Sequence, residues 1–280
     1  MPKLFEILEN QVIADKVNRY RIHSPQIAER RKAGQFIILR IDDQGERIPL
    51  TIADADPQEG SLTLVVQEVG KSTARMTQLK PGDVLRDVVG PLGAPTHVAK
   101  HGTVIIVGGG IGIAPAHPIA QAMRAAGNKV VSILGARTKG LIIMEGEMQK
   151  ASDQVIVCTD DGSYGKKGLV TDAIKEWVQA NGKAGLVVAI GPVIMMKFVS
   201  RLTKELGIPT VVSLNPIMVD GTGMCGGCRV TVGGKTKFAC VEGPEFDGHQ
   251  VDFDELTRRQ AFYRKQEQEA YHRCKLETGS

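Results

Sequence analysis

No run of apolar residues in the sequence is long enough to cross a bilayer. Buried-type stretches such as Thr103–Val107 fall far short of the roughly 20 residues a membrane-spanning helix needs. The start, Met1-Pro2-Lys3-Leu4-Phe5-Glu6, lacks a basic head followed by an apolar stretch, so no secretory signal is read there. Neither sign of charge dominates: 35 Lys and Arg against 31 Asp and Glu leave a formal net charge of +4 over 280 residues. The basic residues are scattered, which argues against a nucleic-acid partner. There is no internal repeat and no low-complexity tract, and the six histidines form no HxxH-type pair. These absences leave a globular protein expected in the cytoplasm, with no membrane and no nucleic acid as partner. Thiols stay reduced there, so the five cysteines read as metal ligands or core residues rather than as a disulfide framework.

What is present divides the chain by texture. Hydrophobic residues make up 42% and charged residues 24%, enough for a sizeable core, and the length suits two domains with a small appendage. Residues 1–97 read as short strands: Leu4–Ile13, Phe36–Ile41, Leu62–Val69 and Val84–Val89. Turn signals such as Asp56-Pro57 and Pro81-Gly82-Asp83 separate them. That pattern predicts an antiparallel barrel or sandwich. From 98 to 218 strands and helices alternate: Val104–Val107, helix Ala114–Ala126, Val130–Leu134, Val155–Val157, helix Leu169–Ala180, Leu186–Ile190, helix Met195–Leu206 and Thr210–Ser213. Alternation of this kind predicts a doubly wound parallel sheet, with ligands beyond the carboxyl ends of its strands. A glycine- and cysteine-rich segment spans 219–246. A helical tail spans 247–280, capped by Asp252 with Glu255 at the third position.

The densest chemistry lies in Asp220-Gly221-Thr222-Gly223-Met224-Cys225-Gly226-Gly227-Cys228, followed by Cys240. Plant-type [2Fe–2S] proteins use C-x4-C-x2-C and a distant fourth cysteine. Cys225 and Cys228 supply the C-x2-C and Cys240 the distant ligand, while the first position is Asp220. A carboxylate can ligate iron as a harder donor than a thiolate. The glycines allow backbone N–H groups to approach the sulfurs and tune the cluster. The competing readings are a zinc site, which more often uses Cys and His alone, and a plain loop in which Asp220 only forms a turn. Cys158 reads as a core residue, and Cys274 has no ligand spacing around it.

A second motif joins strand Val104–Val107 to a helix through Gly108-Gly109-Gly110-Ile111-Gly112-Ile113-Ala114-Pro115. Absent side chains at Gly109, Gly110 and Gly112 let backbone approach a pyrophosphate, and the helix start at Ala114 and Pro115 offers N–H groups to it. The spacing is not G-x-G-x-x-G, and Gly135-Ala136-Arg137-Thr138 puts no acid after the second strand, so a nucleotide site of another family is indicated. Thr159-Asp160-Asp161-Gly162-Ser163 and Gly191-Pro192 end later strands, where a bound nucleotide would meet the chain.

In this order the motifs resemble the ferredoxin–NADP reductase superfamily. Within it they are similar to the electron-transfer subunits of dihydroorotate dehydrogenase and of sulfide dehydrogenase, also described as NADH-dependent ferredoxin:NADP+ oxidoreductase. The resemblance implies FAD on the barrel. A motif similar to R-R-P-L-S/T is present as Arg47-Ile48-Pro49-Leu50-Thr51, with the Thr51 hydroxyl facing the flavin's reactive edge and Arg47 assigned to the FAD phosphates. A motif similar to V-G-K-G-T is present as Val69-Gly70-Lys71-Ser72-Thr73, whose amides would hold the pyrophosphate. Ile190 stands where many relatives have a cysteine before Gly-Pro. The aspartate at 220 favours the NADH-dependent ferredoxin:NADP+ oxidoreductase, because dihydroorotate dehydrogenase subunits normally carry four cysteines.

The resemblance therefore implies an electron-transfer subunit that works with NAD(H), FAD and [2Fe–2S]. It implies a heterodimer with a large subunit carrying FAD and [4Fe–4S] clusters, in flavin-based electron bifurcation. It assigns no acid–base catalytic residue. Arg137 and Lys139 leave the choice between NAD and NADP open. A dihydroorotate dehydrogenase subunit is one alternative, and a redox-sensing or zinc-stabilised binding module without turnover is another.

Overall fold

The computed structural model describes residues 2–278. Seven strands open the chain: β1 (Ile7–Ala14), β2 (Val17–His23), β3 (Phe36–Arg40), β4 (Ile48–Thr51), β5 (Asp54–Asp56), β6 (Ser61–Gln67) and β7 (Asp87–Leu92). Two short helices interrupt them, α1 (Pro25–Arg30) and α2 (Lys71–Thr77). The strands form two antiparallel sheets, in the orders β1-β2-β6-β5 and β4-β3-β7. The chain passes from one sheet to the other after β4, where Ile52 N–H donates to the Gln35 carbonyl at 3.2 Å and Ala53 N–H to the Thr63 carbonyl at 2.9 Å. This is the antiparallel barrel expected for the first part of the chain.

The doubly wound domain follows. Its strands are β8 (Thr103–Gly109), β9 (Lys129–Ala136), β10 (Gln154–Thr159), β11 (Lys166–Lys167), β12 (Leu186–Ile190) and β13 (Thr210–Ser213). Helices α3 (Ile113–Ala125), α4 (Glu145–Ala151), α5 (Val170–Asn181) and α6 (Val193–Leu206) connect them. The sheet order is β11-β10-β9-β8-β12-β13, all parallel, with a later strand added antiparallel beside β13. Every residue of β12 is buried, as a parallel strand covered on both faces requires.

The cysteine-rich segment folds as a small hairpin, β14 (Arg229–Val232) and β15 (Lys235–Phe238), followed by the single turn α7 (Ala239–Glu242). The chain then returns as β16 (Glu245–Asp247), which pairs antiparallel with β13. The boundary drawn from sequence at 246/247 therefore falls within a strand of the nucleotide sheet. The tail forms α8 (Phe253–Gln260) and α9 (Arg264–Thr278). The expected cap is present: Glu255 N–H donates to Asp252 Oδ1 at 2.8 Å. Among the described residues no helix is long and apolar enough to cross a membrane.

Strand β3 explains how the domains are held together. Four of its five residues are buried. Side chains alternate between faces along a strand. Ile37 and Leu39 enter the barrel core. Phe36 and Ile38 join the core that contains β12, α6, Cys228 and Cys240. One strand thus serves two cores, and the barrel wall is also the floor under the cysteine loop.

Candidate functional site

Barrel and parallel sheet together enclose a cavity of about 1230 Å³. Pockets for one small ligand commonly span roughly 300–1,000 Å³, so there is room for more than one. The barrel contributes Pro49, Leu50 and Thr51 from β4, with Val17, Val65 and Gln67 behind them. The first turn of the sheet contributes Gly109, Gly110, Gly112, Ala114 and Pro115. Asp160 enters from the end of β10, and Gly191 and Pro192 from the end of β12.

The glycine turn has the form an anion cradle needs. Gly110 has φ +54°, and no group lies within 4 Å of where its Cβ would stand. A side chain there would be strained and would project into open space at the cavity. Helix α3 starts beside it without a side-chain cap, so its N-terminal N–H groups and positive dipole end face the same space. His117, one turn further on, is buried and meets the Ala53 carbonyl at 3.2 Å through Nδ1, a core role.

Not every residue singled out from sequence lines the cavity. Asp161 and Gly162 form the turn that presents Asp160. Asp161 Oδ1 accepts from Ser163 N–H at 2.9 Å, and Ser163 holds the Asp161 carboxyl below the usual carboxylate range. Gly70, Lys71, Ser72 and Thr73 lie at the start of α2, outside the lining. There the Thr73 hydroxyl accepts from Val69 N–H at 2.9 Å and Gly70 N–H at 3.0 Å, and Ser72 donates to Glu46. Arg137 lines the cavity, whereas Lys139 lies over the Tyr164 ring at 5.1 Å. Sequence reasoning passed over Ser213–Pro216 at the end of β13 and Met195 and Phe198 on α6, all of which line the cavity. The strand-end rule applied to β13 would have found the first of these.

Arg47 points elsewhere. Its Nε donates to the Val219 carbonyl at 3.1 Å and its Nη2 to the Asp220 carbonyl at 3.3 Å, more than 170 residues along the chain. It therefore meets the cysteine loop.

That loop and the turn after it carry the four residues expected as ligands. Cys228 and Cys240 are buried, with their sulfurs 3.1 Å apart. Burial, reinforced by Cys228, pushes the Cys240 thiol up to about 12. Cys225 is exposed, and Gly227 N–H donates to its sulfur at 3.4 Å. Backbone amides of Gly227 and Asp220 lower the Cys225 thiol, against the burial and the Asp220 charge that raise it. Asp220 accepts three bonds, all at Oδ2: from Thr222 N–H at 3.0 Å, from the Thr222 hydroxyl, and from Met224 N–H at 3.2 Å. Those bonds, led by the Thr222 hydroxyl, hold its carboxyl below the usual range.

Three thiols, a carboxylate and amides aimed at sulfur suit a cluster that needs thiolates stabilised by N–H donors. No group of three or more such side chains among the described residues closes on one point. A two-iron site does not require that, since it divides its ligands between two metals. Cys228 and Cys240 form one pair of sulfurs in contact, at 3.1 Å.

Comparison with known proteins agrees with this layout. Residues 215–252 match the iron–sulfur cluster binding domain of dihydroorotate dehydrogenase B, and residues 106–201 the oxidoreductase NAD-binding domain. The chain is 52% identical over 270 residues, 96% of its length and 95% of the relative's, to a Thermotoga maritima homologue of the dihydroorotate dehydrogenase B (NAD(+)) electron transfer subunit. It is 33% identical over 254 residues to that subunit from Geobacillus thermodenitrificans, covering 88% of this chain and 96% of the relative. Among solved structures it matches an NADH-dependent reduced ferredoxin-NADP oxidoreductase studied for flavin-based electron bifurcation. The TM-score is 0.92, with 50% identity over 98% of both chains.

Proposed function

The chain belongs to the electron-transfer subunit family of dihydroorotate dehydrogenase B, and from that premise we propose its role: it passes electrons between NAD(H), FAD and a [2Fe–2S] cluster in an electron-bifurcating, NADH-dependent ferredoxin:NADP+ oxidoreductase complex. One observation carries the reading. A single cavity is walled by barrel strand β4 and by the glycine turn of the nucleotide sheet, in a chain that matches the bifurcating relative almost end to end.

When bound, the flavin and the cluster supply the conversion of two-electron hydride transfer into one-electron steps. The chain supplies position. Gly109, Gly110 and Gly112, with the start of α3 at Ala114 and Pro115, receive the phosphates of NAD(H), where backbone N–H groups and the helix dipole favour anions. Asp160, Gly191 and Pro192 border the same nucleotide at the strand ends. Pro49, Leu50 and Thr51 face the flavin, and Gly70, Lys71, Ser72 and Thr73 hold its phosphates. Asp220, Cys225, Cys228 and Cys240 hold the two irons. Hydride transfer depends on alignment of two rings, so no side chain is assigned as acid or base. Ile190, buried at the cavity wall, takes the place of the thiol found in many relatives without changing that requirement.

The partner is a large subunit carrying a second FAD and [4Fe–4S] clusters, and the complex works in the cytoplasm. Purification of the tagged chain from its source organism is the test. Expected are iron, sulfide and flavin in the preparation, bleaching by NADH, and a copurifying iron–sulfur flavoprotein. A preparation without flavin absorption or NADH response overturns the reading. The 33% identity to a dihydroorotate dehydrogenase B subunit favours a second reading, in which the copurifying partner oxidises dihydroorotate.

A further inference from the structure

Arg47 stands at the meeting point of the cavity and the cysteine loop. It directly precedes β4, and on a strand every second side chain shares a face. Arg47 is thereby in register with Pro49 and Thr51, which line the cavity, while Ile48 packs against the barrel core. Its guanidinium reaches out of the barrel and spans two consecutive carbonyls, those of Val219 and Asp220. A planar fork with several donors is suited to such a double contact, and a lysine ammonium is not.

The loop it holds lies flat on the barrel. Gly221 has φ +81°, and a Cβ there would stand 2.8 Å from Ile38 and 2.9 Å from Leu92. The backbone that carries Asp220 is therefore pressed onto β3 and β7 on one side and hydrogen-bonded to Arg47 on the other. The groups bonded to the Asp220 carboxylate, from Thr222 and Met224, are neutral. The Arg47 guanidinium, bonded to the Asp220 carbonyl at 3.3 Å, places a positive charge beside this group.

A site with three thiolates and a carboxylate is strongly anionic, and accepting an electron makes it more so. A fixed positive charge nearby favours the reduced form, and so raises the potential at which the electron is accepted. We propose that Arg47 is a positioning residue for the cluster: it ties the Val219–Asp220 backbone to the strand that lines the flavin cavity, and its charge raises the cluster's reduction potential. This rests on reading Asp220, Cys225, Cys228 and Cys240 as a [2Fe–2S] site.

The test compares wild-type holoprotein with Arg47→Gln and Arg47→Lys, by redox titration followed through the cluster's electron paramagnetic resonance, with FAD content measured in parallel. Arg47→Gln is expected to move the cluster midpoint to lower potential and to change the line shape, with FAD content unchanged. Arg47→Lys is expected to recover most of the potential, because the charge returns, but not the wild-type line shape, because the double contact does not. Loss of the cluster in Arg47→Gln would support the tie, and Arg47→Lys would then decide the effect of charge: a potential well below wild type overturns it. Wild-type potential and line shape in Arg47→Gln overturn the proposal. So does loss of FAD with an unchanged cluster, which would return Arg47 to the flavin phosphates. Wild-type protein without iron and sulfide would instead sink the reading of the site itself.

Discussion

The sulfurs of Cys228 and Cys240 lie 3.1 Å apart, one at the foot of the β14–β15 hairpin and the other in α7. The hairpin turns the chain back so that eleven intervening residues separate two side chains that touch. Cys240→Ser should remove iron and sulfide and abolish the cluster's visible absorption. Reduction of the flavin by NADH should persist, because the cavity lies on other elements. Full iron content in the variant would show that Cys240 is only a core residue.

Asp220→Cys supplies the thiolate that plant-type sites have at this position. The cluster should be retained with a changed spectrum and potential, since a softer donor replaces a harder one. The turn made by Asp220 Oδ2 with Thr222 and Met224 would be lost as well, so the melting temperature should fall slightly. If only the stability changes and the cluster spectrum does not, Asp220 is a turn residue.

Gly110→Ala places a Cβ on a backbone with φ +54° and at the open face of the cavity. Roughly 1–2 kcal/mol of backbone strain is expected, together with about tenfold or greater loss of NADH affinity, the equivalent of ~1.4 kcal/mol. Stopped-flow titration of flavin reduction reads the affinity, and FAD and iron contents should match wild type.

Glu245 on β16 reaches the linker between the domains, where Thr96 Oγ1 donates to its carboxylate at 2.6 Å. Burial pushes its carboxyl up to about 7, against the Thr96 bond that lowers it. Between its ordinary value near 4.5 and 7 the folded protein holds a proton that the unfolded chain releases. Stability should therefore decline as pH rises through that window and level off above it, by about 3 kcal/mol at most. Glu245→Gln should flatten the profile of melting temperature against pH between 4.5 and 7. A slope equal to wild type would mean that Glu245 titrates normally.

Helix α9 packs on α2, and the Tyr271 hydroxyl donates to Glu68 Oε1 at 2.6 Å, just before the Val69–Thr73 motif. Tyr271→Phe should cost about 1 kcal/mol and raise amide hydrogen exchange across 264–278. Exchange in the barrel strands should not change. Unaltered exchange in α9 would mean that its other contacts, Lys275 with Glu68 among them, hold the tail.

Particular elements show how much was legible in advance. The helices α3, α5 and α6 appeared within one or two residues of their observed ends because their apolar faces and terminal glycines are local signals. Strand β2 was missed even though Tyr20 and Ile22 alternate inward with Arg19 and Arg21. Strand β16 was not foreseen, since three residues of Glu245–Asp247 carry no pattern and pair only because β13 offers a free edge. Asp220, Cys225, Cys228 and Cys240 were singled out by spacing, and the glycine turn by its place between a strand and a helix. The direction of Arg47 was not legible, because its neighbours in sequence resemble a flavin motif while its hydrogen-bond acceptors lie at Val219 and Asp220.

The order of the parts was set locally: strands, a glycine turn in an alternating sheet, then three cysteines and an aspartate. Those features depend on residues close together in the chain, where turn preference, side-chain periodicity and ligand spacing act. Long-range packing made β3 share its faces between two cores and made the nucleotide turn and β4 wall one cavity. It also decided that the guanidinium of Arg47 would rest on the Asp220 loop. Each of these joins groups distant in sequence, and such contacts are set by the packing of whole elements rather than by any local preference of the residues that make them.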